Sequence, residues 1–196
     1  MRTLTRAELT AALAARQGLL RRARIAPAEA IRRLTPLQAQ HPPAPYIAPR
    51  RLRPRRPRGG DRRGGLGAVA TVAHRDEAGR ELLDLPGAPL PPASTRLPPR
   101  LLAHWDQPLL AYADRERILS PAVQALGLTQ SGDPTVTVDG RVAASWRIER
   151  EGDRARLTVL PHVELSGAAR AGIRAEAERT ARFCEPGARG LELAGV

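Results

Sequence analysis

Apolar positions at the front of the chain recur with a helical period. Leu9, Ala12, Leu13 and Arg16 fall at three- and four-residue spacing behind Thr5-Arg6-Ala7-Glu8. That tetrapeptide is a capping box: the Thr5 hydroxyl accepts an early backbone amide while Glu8 reaches back to the Thr5 amide. Gly18 stands just past the last periodic residue, where a helix is expected to stop. A second helix is predicted from Pro27, a residue suited to the first helical position, with Glu29 in its first turn. Ala30, Ile31 and Leu34 form its apolar face, Pro36 interrupts it, and Leu37-Gln38-Ala39-Gln40 leads into a proline-rich exit through Tyr46. Two short helices joined by a turn rich in arginine (Arg21, Arg22, Arg24) are compatible with an incomplete winged-helix or helix-turn-helix unit over residues 1–48.

The period changes in the second half. Val69–Val72 is expected as a strand, with a turn over Arg75–Arg80 leading to Glu81–Leu85 and a proline-rich connector over Pro86–Pro99. Leu101–Leu119 carries Trp105, Leu109, Leu110, Tyr112 and Ile118 and is expected as a satellite segment that seeds the core. Thr135-Val136-Thr137-Val138 alternates, Asp139-Gly140 is a tight hairpin turn, and Arg141–Trp146 returns. A second hairpin turns at Glu151-Gly152-Asp153. Ser166 then caps a helix over about Gly167–Phe183, with Ile173, Ala177 and Thr180 on one stripe. The prediction is α+β: an antiparallel meander plus helix in a C-terminal domain of residues 69–187, followed by a tail over 188–196.

Charge divides the chain differently. All 32 basic residues are arginine, and lysine and asparagine are absent, as the codons of a GC-rich genome would produce. Residues 1–48 carry a net +6 and residues 49–100 a net +7, whereas residues 101–196 are close to neutral. A polyanion would therefore meet the first half. Within it, residues 49–68 form a bridge with almost nothing to bury, containing Arg50, Arg51, Arg53, Arg55, Arg56 and Arg58. The bridge is equally a basic arm along phosphates, a solvated linker, or shifted-frame sequence from GC-rich DNA. No apolar run approaches membrane-spanning length and no signal-peptide pattern precedes the first helix, which points to a soluble cytoplasmic protein.

Few constellations carry chemistry. His41, His74, His104 and His162 have no ligand spacing, and Cys184 stands alone, so neither a metal nor another cofactor is expected. Ser166 and Cys184 are more simply a cap and a packed small residue than nucleophiles. Asp106 and Asp114 are candidate acids, though structural pairing with Arg115 and Arg117 is the simpler expectation. Gln38 and Gln40, flanking Ala39 at the end of the second helix, are surface polar residues on this evidence alone.

Larger stretches carry a resemblance. Leu4–Leu20, Ala28–Leu34, Leu37-Gln38-Ala39-Gln40 and Pro45–Ala48 resemble the opening of winged-helix DNA glycosylases of the AlkZ/YcaQ type. Arg75–Pro86, Pro98–Leu102, Trp105-Asp106, Leu109-Leu110, Ala113-Asp114-Arg115, Asp133–Val142, Trp146 and the final helix resemble their closing section. The resemblance covers residues 1–48 and about 75–187, without what longer members carry between. It implies a double-stranded DNA partner and a monofunctional glycosylase for alkylated or crosslinked purines, without a lyase lysine or cofactor. Gln38 and Gln40 would position the attacking water and contact the damaged nucleotide, and Arg21, Arg22, Arg24 and the bridge arginines would contact DNA. The alternatives are a non-catalytic nucleic-acid-binding module and an inactive, internally deleted remnant.

Overall fold

The computed structural model describes residues 1–21, 71–110 and 115–196, with only the backbone of Thr129. These residues form two sheets, one ordered β1-β2-β3 and one ordered β4-β5-β6-β7-β8. The helices are few, and the fold is mixed α and β.

The small sheet comprises β1 (Arg2–Leu4), β2 (Val72–Asp76) and β3 (Glu81–Asp84). β1 was invisible in the pattern. It is three residues long and pairs in parallel with β2, Arg2 opposite His74 and Leu4 opposite Asp76. The strand expected over Val69–Val72 runs later, and the turn expected over Arg75–Arg80 shortens to the residues after Asp76. Asp76 is the reason: its carboxylate accepts the Ala78 and Arg80 amides at 3.0 and 2.8 Å, closing the turn.

Helix α1 (Arg6–Arg16) starts on the capping box, with Thr5 accepting the Glu8 amide and Glu8 accepting the Thr5 amide. Gly18, at φ 67°, follows its end. The helix buries small side chains, Thr10, Ala11, Ala12 and Ala14, while Leu9 and Leu13 are only half-buried. Small residues let α1 sit close to elements on two sides. Leu9, Ala12 and Leu13 share one crevice with Leu4, His74 and Leu82. Thr10, Leu13 and Ala14 share another with Leu97, Ile118 and Gly140.

The large sheet holds the main core. β5 (Thr135–Val138) and β6 (Arg141–Glu151) form the predicted hairpin, with Asp139 at φ 49° and Gly140 at φ 76°, as a type I′ turn demands. A side chain at Gly140 would also strike Thr10 and Leu97. β7 (Arg154–Pro161) completes the antiparallel meander. The sheet is wider than the meander. β4 (Arg100–Leu102) adds at one edge, antiparallel to β5, so this stretch of the expected satellite belongs to the sheet itself. β8 (Gly190–Ala194) adds at the other edge, parallel to β7, where a tail was expected. Its alternating Leu191 and Leu193 pack against the core, and that apolar contact holds the segment as a strand.

Helix α5 (Gly167–Cys184) is capped by Ser166, whose hydroxyl accepts the Ala169 amide. Ile173, Ala177 and Ala181 are buried at four-residue spacing, with Ala181 rather than Thr180 continuing the stripe. They close a core with Val136, Ala144, Leu157 and Val159. A second cluster, Leu102, Leu109, Ile118, Leu119, Val123 and Leu128, meets the sheet at Val142. Leu109, Val123 and Leu128 come from three single-turn helices, α2 (Gln107–Leu110), α3 (Pro121–Gln124) and α4 (Leu128–Ser131), and Leu102 from β4. Among the described residues no helix is long and apolar enough to cross a membrane.

Candidate functional site

Most residues singled out for DNA lie outside the described ones. Gln38, Gln40, Arg22, Arg24, Arg50, Arg51, Arg53, Arg55, Arg56 and Arg58 are all in that group, as is Asp114. Arg21 is described and exposed. The chain that leads toward the glutamines is anchored just before it. Arg100, on β4, donates from Nε to the Leu19 carbonyl at 2.7 Å and from Nη2 to the Leu20 carbonyl at 3.3 Å. Its Nη1 lies 3.6 Å from Glu176 of α5, whose carboxylate also accepts from Arg179 at 2.8 Å. Glu176 is 3% exposed, so its charge is sustained by these two guanidinium groups. The large sheet thus holds the N-terminal segment where it departs for the glutamines.

A second constellation surrounds the loop between β4 and α2. Trp105 adopts φ 56°, a left-handed conformation that costs a non-glycine residue roughly 1–3 kcal/mol and is held only where surroundings impose it. Its surroundings are specific. The Trp105 amide donates to the Gly132 carbonyl at 3.3 Å, and His104 Nδ1 lies 3.0 Å from the same oxygen. The indole ring lies flush on Gly132, where an added Cβ would meet it at 2.2 Å. Beside Gly132, Ser131 donates to the Asp133 carboxylate at 2.6 Å. Asp133 in turn faces His162.

Two groups in this constellation titrate abnormally. Burial pushes the Asp106 carboxyl up, against the opposing hydrogen bonds from the Ala103 and Gln107 amides. Burial also pushes His162 down, against the opposing charge of Asp133. His162 Nε2 is buried without a hydrogen-bond partner among the described residues. Carboxyl and imidazole groups whose pKa is moved by burial are of the types that serve in acid–base chemistry. Asp106 was expected to pair with Arg115 or Arg117. Its carboxylate accepts the Ala103 amide at 3.2 Å and fastens its own loop.

Sequence reasoning found Trp105 and Asp106 from their residue types. It passed over His162, which shows no ligand spacing and becomes notable only through its buried Nε2, unpartnered among the described residues. Cys184 is exposed, and burial together with the neighbouring Glu185 charge pushes its thiol up, away from a reactive thiolate. Among the described residues no three His, Cys, Asp or Glu side chains converge as a metal cage requires.

Comparison with known proteins places this geometry in a family context. A family model described as DNA glycosylase AlkZ-like matches residues 56–183. Among solved structures the chain is similar to Streptomyces sahachiroi DNA glycosylase AlkZ, with 25% identity and a TM-score of 0.47. That similarity covers 66% of this chain and 35% of the other, so the chain spans about a third of that protein's length. No curated protein matches it. Gln38 and Gln40 precede the span matched by the family model.

Proposed function

The chain belongs to the AlkZ-like DNA glycosylase family, and on that premise we propose that it binds double-stranded DNA and hydrolyses the N-glycosidic bond of an alkylated purine. The observation that carries the reading is the family match over residues 56–183. Alkylation places positive charge on the purine, which makes it a good leaving group. Catalysis then needs a positioned water and stabilisation of positive charge on the sugar as the bond to C1′ breaks. The amide groups of Gln38 and Gln40 suit both tasks. Their carbonyl oxygens orient the water and face the developing charge without changing protonation state. The chain has no lysine, so a lysine Schiff base at C1′ is not available to it. The Arg100 contacts to Leu19 and Leu20 would fix where the glutamine segment begins.

Release of N7-methylguanine from alkylated duplex DNA tests the proposal. The unaltered chain should liberate the free base and leave an abasic site uncut, and Gln38→Ala/Gln40→Ala should abolish release. Release undiminished in the double variant would remove both glutamines from the mechanism. A second reading, DNA binding without base excision, is favoured by one fact: the span that identifies the family begins after the glutamines. Tight binding of duplex DNA with no base release on any alkylated substrate would select it.

A further inference from the structure

Four guanidinium groups from distant parts of the chain line one groove of about 420 Å³. Arg6 opens helix α1, Arg96 belongs to the proline-rich segment before β4, Arg117 precedes Ile118, and Arg141 begins β6 directly after the hairpin turn. Two local facts bring them together. The β5–β6 turn packs against Thr10 of α1 because Gly140 has no side chain. The capping box fixes the end of α1 that carries Arg6.

The charges in this groove are poorly matched. Arg6 reaches Glu116 at 3.5 Å, but both side chains are more than half exposed, so that pair is weak. The side chains of Arg96, Arg117 and Arg141 make no ion pair or hydrogen bond with any described residue. Asp139 is the one carboxylate lining the groove itself. Elsewhere in this half of the molecule arginines are matched at close range: Arg150 to Glu185 at 3.0 Å and Arg156 to Glu192 at 2.7 Å. Arg117 and Arg141 are also half-buried, which weakens water's screening of whatever binds them. Ala7, Ala93 and Leu97 add apolar wall to the same groove. Repeated positive charge beside apolar surface is the complement of a chain of phosphates joined by sugars.

We propose that this groove seats the phosphate backbone of DNA. The proposal rests on the DNA-binding reading above but moves the contacts from the bridge arginines onto α1, the segment before β4, Arg117 and the start of β6. It is independent of the glutamine pair. Arginine suits the role because its planar fork meets phosphate oxygens in pairs.

The test is binding of the full-length chain to a duplex DNA probe, by fluorescence anisotropy, across a salt series. The variants are Arg96→Gln/Arg117→Gln/Arg141→Gln in the groove, Arg147→Gln/Arg156→Gln on the exposed face of the large sheet, and a bridge variant with Arg50, Arg51, Arg53, Arg55, Arg56 and Arg58 changed to Gln. The groove variant should bind at least about tenfold more weakly, and the slope of log K against log salt should flatten by about 2 to 3. Changing the same three residues to Lys should restore most of the slope, which shows that lost charge and not a lost fold causes the defect. The bridge variant should keep the groove's share of the salt dependence. Wild-type affinity and slope in the groove variant would overturn the groove while leaving the DNA reading intact. An equal loss in the Arg147/Arg156 variant would also overturn it, since net charge alone would then account for the effect. Absence of duplex binding by the unaltered chain would overturn the DNA reading and the groove together.

Discussion

The two sheets are held together by different means. The five-stranded sheet closes on fully buried apolar side chains, Val136, Leu157, Val159, Ile173 and Ala177 among them. The three-stranded sheet buries Leu4, but its other buried side chains include His74 and Asp76. It relies on polar fasteners: Glu8 with Arg2 and Thr5, Asp76 with Arg80, and Arg16 with Asp84. Its β1 and β3 supply seven residues in all. A sheet this small has too little apolar surface to stand by itself, and α1 lends it a share of the larger core. The difference matters for function because the segment leading to Gln38 and Gln40 leaves from the weaker region and is tied to the stronger one through Arg100.

Core truncations should break this comparison most sharply. Leu157→Ala, at 0% exposure in the middle of the large sheet, should cost about 3–5 kcal/mol in denaturant unfolding and abolish the cooperative transition's high-stability phase. Leu4→Ala should cost less, about 2 kcal/mol, because the crevice beside it lets neighbours relax into the space. Equal losses at the two positions would contradict the division into a strong and a weak region.

The link between the regions comes next in size. Glu176→Ala removes a buried carboxylate that faces Arg100 and Arg179. The expected cost is about 3 kcal/mol, the low end for breaking a buried pair, because Arg100 keeps its carbonyl acceptors. Amide hydrogen exchange should show the loss at both α5 and the end of α1. Protection lost at α5 alone would mean that Arg100 does not couple them. Thr5→Ala, which deletes the α1 cap, should cost about 1 kcal/mol and speed exchange in α1 and β1 without touching β5–β7.

The legible parts of the fold are those whose signals lie within a few residues. The Thr5–Glu8 box and the Ser166 cap depend on side chains reaching their own neighbours, and the Gly18 stop and the Asp139-Gly140 turn on the positive φ of their own residues. β1 escaped because three residues carry no period and its partner strand lies on the far side of the bridge. β8 escaped although Leu191 and Leu193 alternate, because a parallel edge strand takes its place from β7, far from it in the chain. The Arg100–Glu176 link and the arginine groove are convergences of residues far apart in the chain, and in an all-arginine composition no single one stands out. The proposal for Gln38 and Gln40 comes from resemblance and not from local chemistry, because two amides around an alanine have no physical signature.

The smallest expected effect is also the most discriminating, because acid should act on the two regions at different pH. In the small region two of the fastening carboxylates, Glu8 and Asp76, sit below their ordinary values. For Glu8 the Thr5 amide is the main cause; burial opposes it, and the Thr5 hydroxyl and Arg2 add to it. For Asp76 burial pushes upward, but the amides of Arg80 and Ala78 and the Arg80 guanidinium outweigh it. A depressed folded-state pKa stabilises above the unfolded value and is lost as pH falls through the folded one. The small sheet should therefore loosen below the usual carboxylate range. Asp106 has the opposite sign: raised by burial against the Ala103 and Gln107 amides, it stabilises fully below its unfolded pKa and loses that contribution as pH rises through the folded one. Acid thus favours the Trp105 loop while it releases α1. His162 complicates this, because its lowered pKa makes its contribution fade as pH falls below 6.5, before the carboxylates titrate. His162→Gln removes that early step. Both tryptophans, Trp105 and Trp146, belong to the large region, so their emission reports on it alone. In the His162→Gln chain, hydrogen exchange in α1 and β2 should accelerate below about pH 4 while tryptophan emission holds steady. If emission shifts first, the large sheet is the acid-sensitive region and the comparison is reversed.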